Sequence, residues 1–214
     1  METFTDNILA VLLFTDLLLV GMSRLSGCIS LVAVQGVLVG LLPLFSPEHV
    51  NPRSIVFFVV VCALKGVVFP VVLSRAMRSV NARREVEPFV GFGWSILIGV
   101  GILAFSFYQA KQLPIPSALV AGTMVMPAAL ATILIGIFLI VSRRTAVTQV
   151  LGYLVLENGI STFGLATVSG IPLLIELGLL LDVFVAVFVM AIMIYQINRE
   201  FDHIDADRLS TLKG

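Results

Sequence analysis

Charged side chains are scarce in this sequence. They make up 12% of its 214 residues, whereas soluble domains carry about 25%. Hydrophobic residues make up 59%, and the mean hydropathy is +1.10. A chain this apolar has too few polar side chains to cover a water-exposed surface. The composition therefore excludes an ordinary soluble domain and indicates an integral membrane protein.

Cysteine and histidine, which bind many metals and haem groups, are nearly absent. Cys28 and Cys62 lie in apolar runs without metal-ligand spacing, and His49 and His203 lie outside those runs. The sequence has no histidine pair for axial haem ligation, no CxxC for an iron–sulfur cluster, and no Walker or GxGxxG motif. No nucleophile with a neighbouring base is visible either. We therefore expect no cofactor in this chain and no active site of its own.

Long apolar runs fill most of the chain, separated by short proline-rich or charged segments. A membrane-spanning helix needs about 20 mostly apolar residues. Lipid offers the backbone no hydrogen-bond partners, so each run must be helical. We expect an all-α, polytopic membrane helix bundle with about seven transmembrane helices. The predicted spans are 5–22, 27–45, 54–73, 89–110, 117–142, 145–169 and 171–198.

Lysine and arginine are distributed unequally between the two sides of this bundle. Ten of them fall on the side of the C-terminus, among them the pairs Arg83-Arg84 and Arg143-Arg144, and only Arg53 and Lys111 fall on the other. Basic residues near spans mark the cytoplasmic side. We therefore expect the N-terminus outside, the C-terminus in the cytoplasm, and a multi-pass location in the cell (inner) membrane, with the two arginine pairs as topological anchors.

Ionisable residues inside the predicted spans are the clearest functional signal. Five of them lie in the interior of these spans, away from the span ends: Asp16, Lys65, Glu157, Glu176 and Asp182. Each costs about 2.5 kcal/mol or more at bilayer depth unless it is paired or hydrated. Counted from the basic residues, Lys65, Glu157 and Asp182 lie about 15, 20 and 25 Å deep. They form either a polar row parallel to the membrane or a stepped path across it.

The surroundings of Glu157 suit proton transfer. Helical spacing places Tyr153 and Ser161 on the same face as Glu157, within reach of its carboxyl group. Lys65 is the expected partner of such a buried glutamate, although it can equally face another subunit. The alternative is structural: the buried charges form ion pairs or interhelix hydrogen bonds that fix packing. For Asp16 and Glu176 this structural or interfacial interpretation is favoured.

Three segments resemble a known family. They are ALKGVVFPVVLSRAMR (63–78), GYLVLENGI (152–160) and GIPLLIELGLLLDVFVAVFVMAIMIYQI (170–197). They are similar to hydrogenase-4 component E, a membrane subunit of group 4 hydrogenase and formate hydrogenlyase-like complexes, and the likeness covers essentially the whole chain. The last three helices also resemble the K subunit of respiratory complex I and the C subunit of Mrp antiporters. The resemblance divides the chain into a four-helix membrane region (1–112), a K-subunit-like three-helix region (113–198) and a cytoplasmic tail (199–214).

This resemblance implies roles for particular residues. Glu157, followed by Asn158, matches the mid-membrane glutamate on the second helix of the K subunit. The glutamate of its third helix would fall near Ala186, and we expect Asp182, one turn away, to replace it. The proton path would then contain Glu157, Asp182 and Lys65, with Glu176 and Asp16 as further members and Tyr153, Asn158 and Ser161 as supporting polar groups.

The resemblance also implies partners. They are antiporter-like and proton-channel-type membrane subunits and a peripheral hydrogenase-type arm on the cytoplasmic face. The expected function is a non-catalytic subunit that contributes to proton or ion translocation coupled to redox chemistry in that arm. Two alternatives stay open: a subunit of a cation/proton antiporter without a redox arm, and a structural assembly subunit.

Overall fold

The computed structural model describes residues 2–42, 59–60, 62–79, 89–113 and 123–167. These ranges contain six α-helices and one π-helical turn. The α-helices are α1 (Glu2–Gly21), α2 (Leu25–Leu41), α3 (Phe69–Ser79), α4 (Phe92–Gln112), α5 (Val125–Ser142) and α6 (Ala146–Thr167), and the π turn Leu64–Val68 directly precedes α3. The prediction of an all-α fold is confirmed for the described part of the chain.

Three of these helices are long and apolar enough to cross a membrane. They are the segment Phe4–Gly21 of α1, the whole of α4 and the whole of α5, and α2 is a shorter apolar helix. Their length and composition agree with a membrane location. The predicted seventh span, 171–198, lies outside the described residues, so the total of seven spans and the orientation stay predictions.

Helices α5 and α6 form a closely packed antiparallel hairpin. A Cβ atom at Gly136 would lie 2.4 Å from the backbone nitrogen of Leu156, and one at Gly152 would lie 2.8 Å from that of Ile140. No side chain fits in such a gap, so glycine allows the two backbones to touch, as is common between membrane helices. This contact fixes the register between α5 and α6.

The π turn before α3 has a local cause. Pro70 has no backbone N–H to donate to the carbonyl group four residues earlier, and its ring would clash with that group in a regular α-helix. A wider turn avoids this clash, and such turns are frequent at functional sites. The turn contains Lys65, which is buried.

Helix α4 packs on α1 and α5 and presents two different faces. Its buried positions are the small residues Ser95, Gly99 and Ser106. Large side chains such as Trp94, Leu97 and Phe105 are more than half exposed. Because α4 is long and apolar enough to span a membrane, this outer face is suited to contact lipid.

The buried apolar residues form two layers. The first apolar layer contains Leu19, Val20, Leu25, Cys28, Ile29, Val32, Phe69, Leu73, Ile135, Leu139, Val147, Val150, Leu151, Leu154 and Val155. The second apolar layer contains Ile8, Leu9, Leu12, Leu13, Val39, Leu42, Val125, Met126, Ala128 and Ala131.

Buried polar side chains lie between these two layers. On α1, α2 and α5, the residues Asp16, Gln35 and Thr132 each fall between positions of the first and positions of the second layer. On α6, Glu157 and Asn158 directly follow the part that belongs to the first layer. We call the set Thr15, Asp16, Gln35, Lys65, Thr132, Glu157 and Asn158 the polar layer; all seven are buried. The polar layer crosses the bundle between the first and the second apolar layer.

Candidate functional site: a buried polar layer

An ion pair between the π turn and α6 forms one half of the polar layer. The ammonium group of Lys65 donates to Glu157 Oε2 and, at 2.9 Å, to Asn158 Oδ1. Ser161, one turn further along α6, donates to Glu157 Oε1 at 3.0 Å. Lys65 is 5% exposed and Glu157 is 1% exposed. Both carboxylate oxygens therefore have a donor, and the pair is neutral as a whole.

Lys65 can reach Glu157 only because α2 has a glycine beside it. A Cβ atom at Gly36 would lie 2.5 Å from Lys65 Cβ and 3.0 Å from its Cδ. The lysine stem therefore passes directly over the backbone of α2. This contact places α2, the π turn and α6 around one charged pair.

The second half of the polar layer surrounds Asp16 of α1. Gln35 Nε2 donates to Asp16 Oδ1 at 2.7 Å, and Thr132 Oγ1 donates to Asp16 Oδ2 at 2.7 Å. Gln35 Nε2 also donates to Thr15 Oγ1 at 3.0 Å. Asp16, Gln35 and Thr132 are all fully buried. Within the described ranges, the donors to this carboxylate are neutral, and the ion pair of Lys65 with Glu157 is the one salt bridge.

Two amide atoms in the polar layer lack partners among the described residues. They are Gln35 Oε1, an acceptor, and Asn158 Nδ2, a donor. Buried polar groups in proteins are nearly always hydrogen-bonded to protein or to water. A cavity of about 10 Å³, lined by Lys65 and Asn158 among others, has the volume of about one water molecule. The cavity adjoins Asn158, its other lining residues apart from Lys65 are apolar, and Gln35 is not among them.

Arg143, predicted as a topological anchor, is instead 2% exposed. Its Nη2 donates to the carbonyl oxygen of Val20 at 2.7 Å, and its guanidinium lies 5.4 Å from the ring centroid of Phe92. Burial lowers its pKa, and the nearby Cys28 thiol acts in the opposite direction, but an arginine keeps its proton in proteins. The neighbouring Arg144 is exposed and stacks on Phe89 at 4.6 Å.

The structure brings most of the described candidates together. Lys65, Glu157, Asn158 and Ser161 form one contiguous cluster, and Asp16 lies in the same layer. Tyr153 packs against the first apolar layer and, in the described part of the chain, makes no hydrogen bond with Glu157. Asp182 and Glu176 lie outside the described residues. The described members lie within one level of the bundle, and because Asp182 is not among them, the choice between a row and a stepped path stays a prediction.

Sequence reasoning missed Gln35, Gly36 and Thr132. Gln35 carried a usable signal, because it is the one side-chain amide in the apolar run 27–45. Gly36 and Thr132 could not be singled out from the sequence, since glycine and threonine are common in membrane helices. No group of three or more His, Cys, Asp or Glu residues that could hold a metal occurs within the described ranges.

Comparisons with known proteins find relatives that match nearly the whole chain. No family model matches the sequence, and no solved structure matches it. The chain is 33% identical over 206 residues to uncharacterized protein Rv0085 of Mycobacterium tuberculosis, covering 94% of this chain and 92% of that protein. It is 28% identical over 219 aligned residues to hydrogenase-4 component E of Escherichia coli K12 and of Shigella flexneri, covering 98% of this chain and 97% of each. The chain is therefore a homologue of hydrogenase-4 component E over nearly its whole length, as the resemblance in its sequence predicts, and it shares still higher identity with Rv0085.

Proposed function

We propose that this chain is a membrane subunit of a multi-subunit hydrogenase complex and that its polar layer is part of a proton path coupled to redox chemistry in a peripheral arm. The full-length similarity to hydrogenase-4 component E supports membership of such a complex. One observation carries the proton path: the buried ion pair of Lys65 with Glu157. The catalytic step itself belongs to other subunits.

The energetics of this pair favour a functional role. Removing two charges from water costs several kcal/mol per ion, and apolar replacements of a buried pair are often neutral or stabilising. A buried pair is thus a poor device for stability alone. Protonation of Glu157 would cancel its attraction to Lys65 and leave the ammonium group held by Asn158. A change of charge in a neighbouring subunit can drive such a step, because electrostatic interactions are strong where water is excluded.

The rest of the path lies on elements that the sequence predicts. Asp182 and Glu176, in the predicted seventh span, would continue the path from Glu157 towards neighbouring membrane subunits of the antiporter-like and proton-channel types. The peripheral hydrogenase-type arm would dock on the cytoplasmic face. This arrangement requires the N-terminus outside and the C-terminus in the cytoplasm. Reporter fusions to Gly214 test it: a cytoplasmic reporter should be active there and a periplasmic reporter inactive.

The decisive experiment is Glu157→Gln in the assembled complex. Membrane vesicles that contain the complex are supplied with hydrogen, and redox turnover and proton translocation are measured together. We expect unchanged redox turnover per assembled complex with loss of translocation, because glutamine keeps the shape of the side chain but cannot carry a proton. Asp6→Asn, near the start of α1 and outside the polar layer, is the matched control and should behave as wild type.

Two other functions predict different results. If the chain is a structural assembly subunit, Glu157→Gln leaves proton translocation intact in a complex that still assembles. If it is a subunit of a cation/proton antiporter without a redox arm, the co-purifying proteins contain no hydrogenase-type subunit and hydrogen supports no turnover. Purification of the complex through this chain, with identification of its partners, separates the second case from the proposal.

A further inference from the structure

Arg143 is a buried cation whose described partners are all neutral. It lies in the turn between α5 and α6 and is 2% exposed. Its Nη2 donates to the carbonyl oxygen of Val20, and the ring of Phe92 lies beside the guanidinium. Its Nη1 has no hydrogen-bond partner among the described residues. Neutral partners leave a full positive charge without a counter-charge, which is costly at a buried site.

A cavity, called here the Arg143 cavity, lies beside this arginine. Arg143, Cys28, Thr148 and Met22 line it, and its other lining residues are leucines and a valine. The thiol of Cys28 acts on the pKa of Arg143, so the two groups are near each other. The cavity has a volume of about 20 Å³, whereas one water molecule needs about 10–15 Å³. It therefore has room for one species slightly larger than water, and too little for a phosphate group.

The lining of the Arg143 cavity is richer in donors than in acceptors. The guanidinium of Arg143 can only donate, and the sulfur atoms of Cys28 and Met22 are weak acceptors. The hydroxyl group of Thr148 donates to the carbonyl oxygen of Thr145 at 2.7 Å and lies 2.8 Å from the Thr145 hydroxyl, so it is engaged within its own turn. A water molecule would find few acceptors here for its two hydrogens, whereas an anion requires none.

We propose that the Arg143 cavity binds a small monovalent anion of the size of chloride. Its single negative charge neutralises the guanidinium, and Arg143 Nη1 and the Cys28 thiol are the groups that donate to it. The ion enters past Met22, which is partly exposed, at the end of the bundle that the sequence predicts to face the cytoplasm. The site does not depend on the proposed proton path, because it uses no residue of the polar layer.

The test is thermal unfolding of the full chain in detergent micelles, in sodium chloride and in sodium gluconate of the same ionic strength. Gluconate screens charges equally well but is too large for the cavity. A ligand that binds only the folded state stabilises it, so the Tm should rise by about 3–5 °C for each tenfold increase in chloride above its Kd. Bromide should replace chloride, and its anomalous signal in a crystal should lie beside Arg143 Nη1.

Two variants and one control assign the effect to this cavity. Arg143→Met removes the charge and should abolish the difference in Tm between chloride and gluconate. Arg144→Met, which changes the neighbouring exposed arginine, is the matched control and should keep that difference. If Arg143→Met does not fold, Cys28→Leu decides, because the larger side chain fills the cavity and leaves Arg143 in place.

Equal Tm values in chloride and gluconate would overturn the site and mean that the cavity holds water only. A chloride effect that persists in Arg143→Met, or in Cys28→Leu where that variant decides, would overturn it too, since the ion would then bind elsewhere. These outcomes are separate from the fate of the proposed function. Loss of translocation in Glu157→Gln without any chloride effect leaves the proposed function standing, and a chloride effect that needs Arg143 stands whatever Glu157→Gln does.

Discussion

Gly36 lies directly against the stem of Lys65, and this contact determines where the lysine ammonium group ends. A Cβ atom at Gly36 would lie 2.5 Å from Lys65 Cβ, a distance that real side chains do not tolerate. The lysine therefore reaches Asn158 and Glu157 across a helix that has no side chain at the crossing point. A glycine that looks unremarkable in the sequence thus positions the charged pair.

Gly36→Ala should destabilise the protein. The added methyl group forces Lys65 or α2 to move, and overpacking of this kind costs about 1–3 kcal/mol. Part of that cost is offset, since the helix propensity of alanine is about 1 kcal/mol more favourable than that of glycine. Gly101→Ala, on α4 with open space around it, gives the same helix gain without the clash. Denaturant unfolding in mixed micelles should show Gly36→Ala less stable than Gly101→Ala; equal stabilities would contradict the contact.

Lys65 and Glu157 should show strong energetic coupling. Removing one partner of a buried pair leaves an uncompensated charge and costs about 3–5 kcal/mol. We therefore expect Lys65→Met and Glu157→Gln each to lower the free energy of unfolding, and the double variant to be more stable than the sum of the single effects predicts. A double-mutant cycle measures this difference. Lys111→Met, at an exposed position of α4, should change stability by no more than about 0.5 kcal/mol.

Additive effects in that cycle would show that Lys65 and Glu157 do not interact in the folded protein. Such a result would contradict the geometry of the polar layer as well as the proposed role of the pair. The cycle needs no knowledge of the electron donor, because it uses the unfolding of the chain alone. It therefore tests the structure independently of translocation.

Much of the fold follows from composition and from runs of apolar residues. The ends of α1, α4 and α6 fall within about three residues of the predicted spans 5–22, 89–110 and 145–169, because lipid forces uninterrupted helices and polar segments end them. The π turn at Lys65 was not predicted from the sequence. Its geometry depends on how the proline is accommodated, which periodicity does not describe.

The candidate site was predictable in its charges and in the polar neighbours of Glu157 on its own helix, Asn158 and Ser161, but not in its neutral members on other helices. Asp16, Lys65 and Glu157 stand out because charge in an apolar run is rare and costly. Which of them would meet depends on interhelix packing, and that packing depends on glycines such as Gly36 and Gly159, whose partners lie far away in sequence. Arg143 shows the same limit, since a basic residue at the end of a span normally reaches the headgroups, whereas this one is buried.

Arg143 and Arg144 should differ sharply in their contribution to stability. Arg143→Met removes a buried donor to the Val20 carbonyl and should cost about 1–3 kcal/mol. Arg144→Met removes an exposed contact with Phe89, and such contacts contribute about 0.5–1 kcal/mol. Thermal unfolding of the two variants in the same detergent checks this order. The reverse order would mean that Arg143 is not buried in the folded protein and acts as an ordinary interfacial anchor.

Gly159→Ala should disturb both halves of the polar layer from one position. A Cβ atom there would lie 2.6 Å from the backbone nitrogen of Ile133, so α5 and α6 must separate, at a cost of about 1–3 kcal/mol. Because Thr132 precedes Ile133 and Asn158 precedes Gly159, the separation moves the Asp16 cluster away from the ion pair. We therefore expect lower stability than for Gly101→Ala, and, in the assembled complex, proton translocation reduced more than redox turnover. Unchanged stability would show that the hairpin is looser than the backbone contact at Gly159 implies, and the two halves would then have no fixed junction.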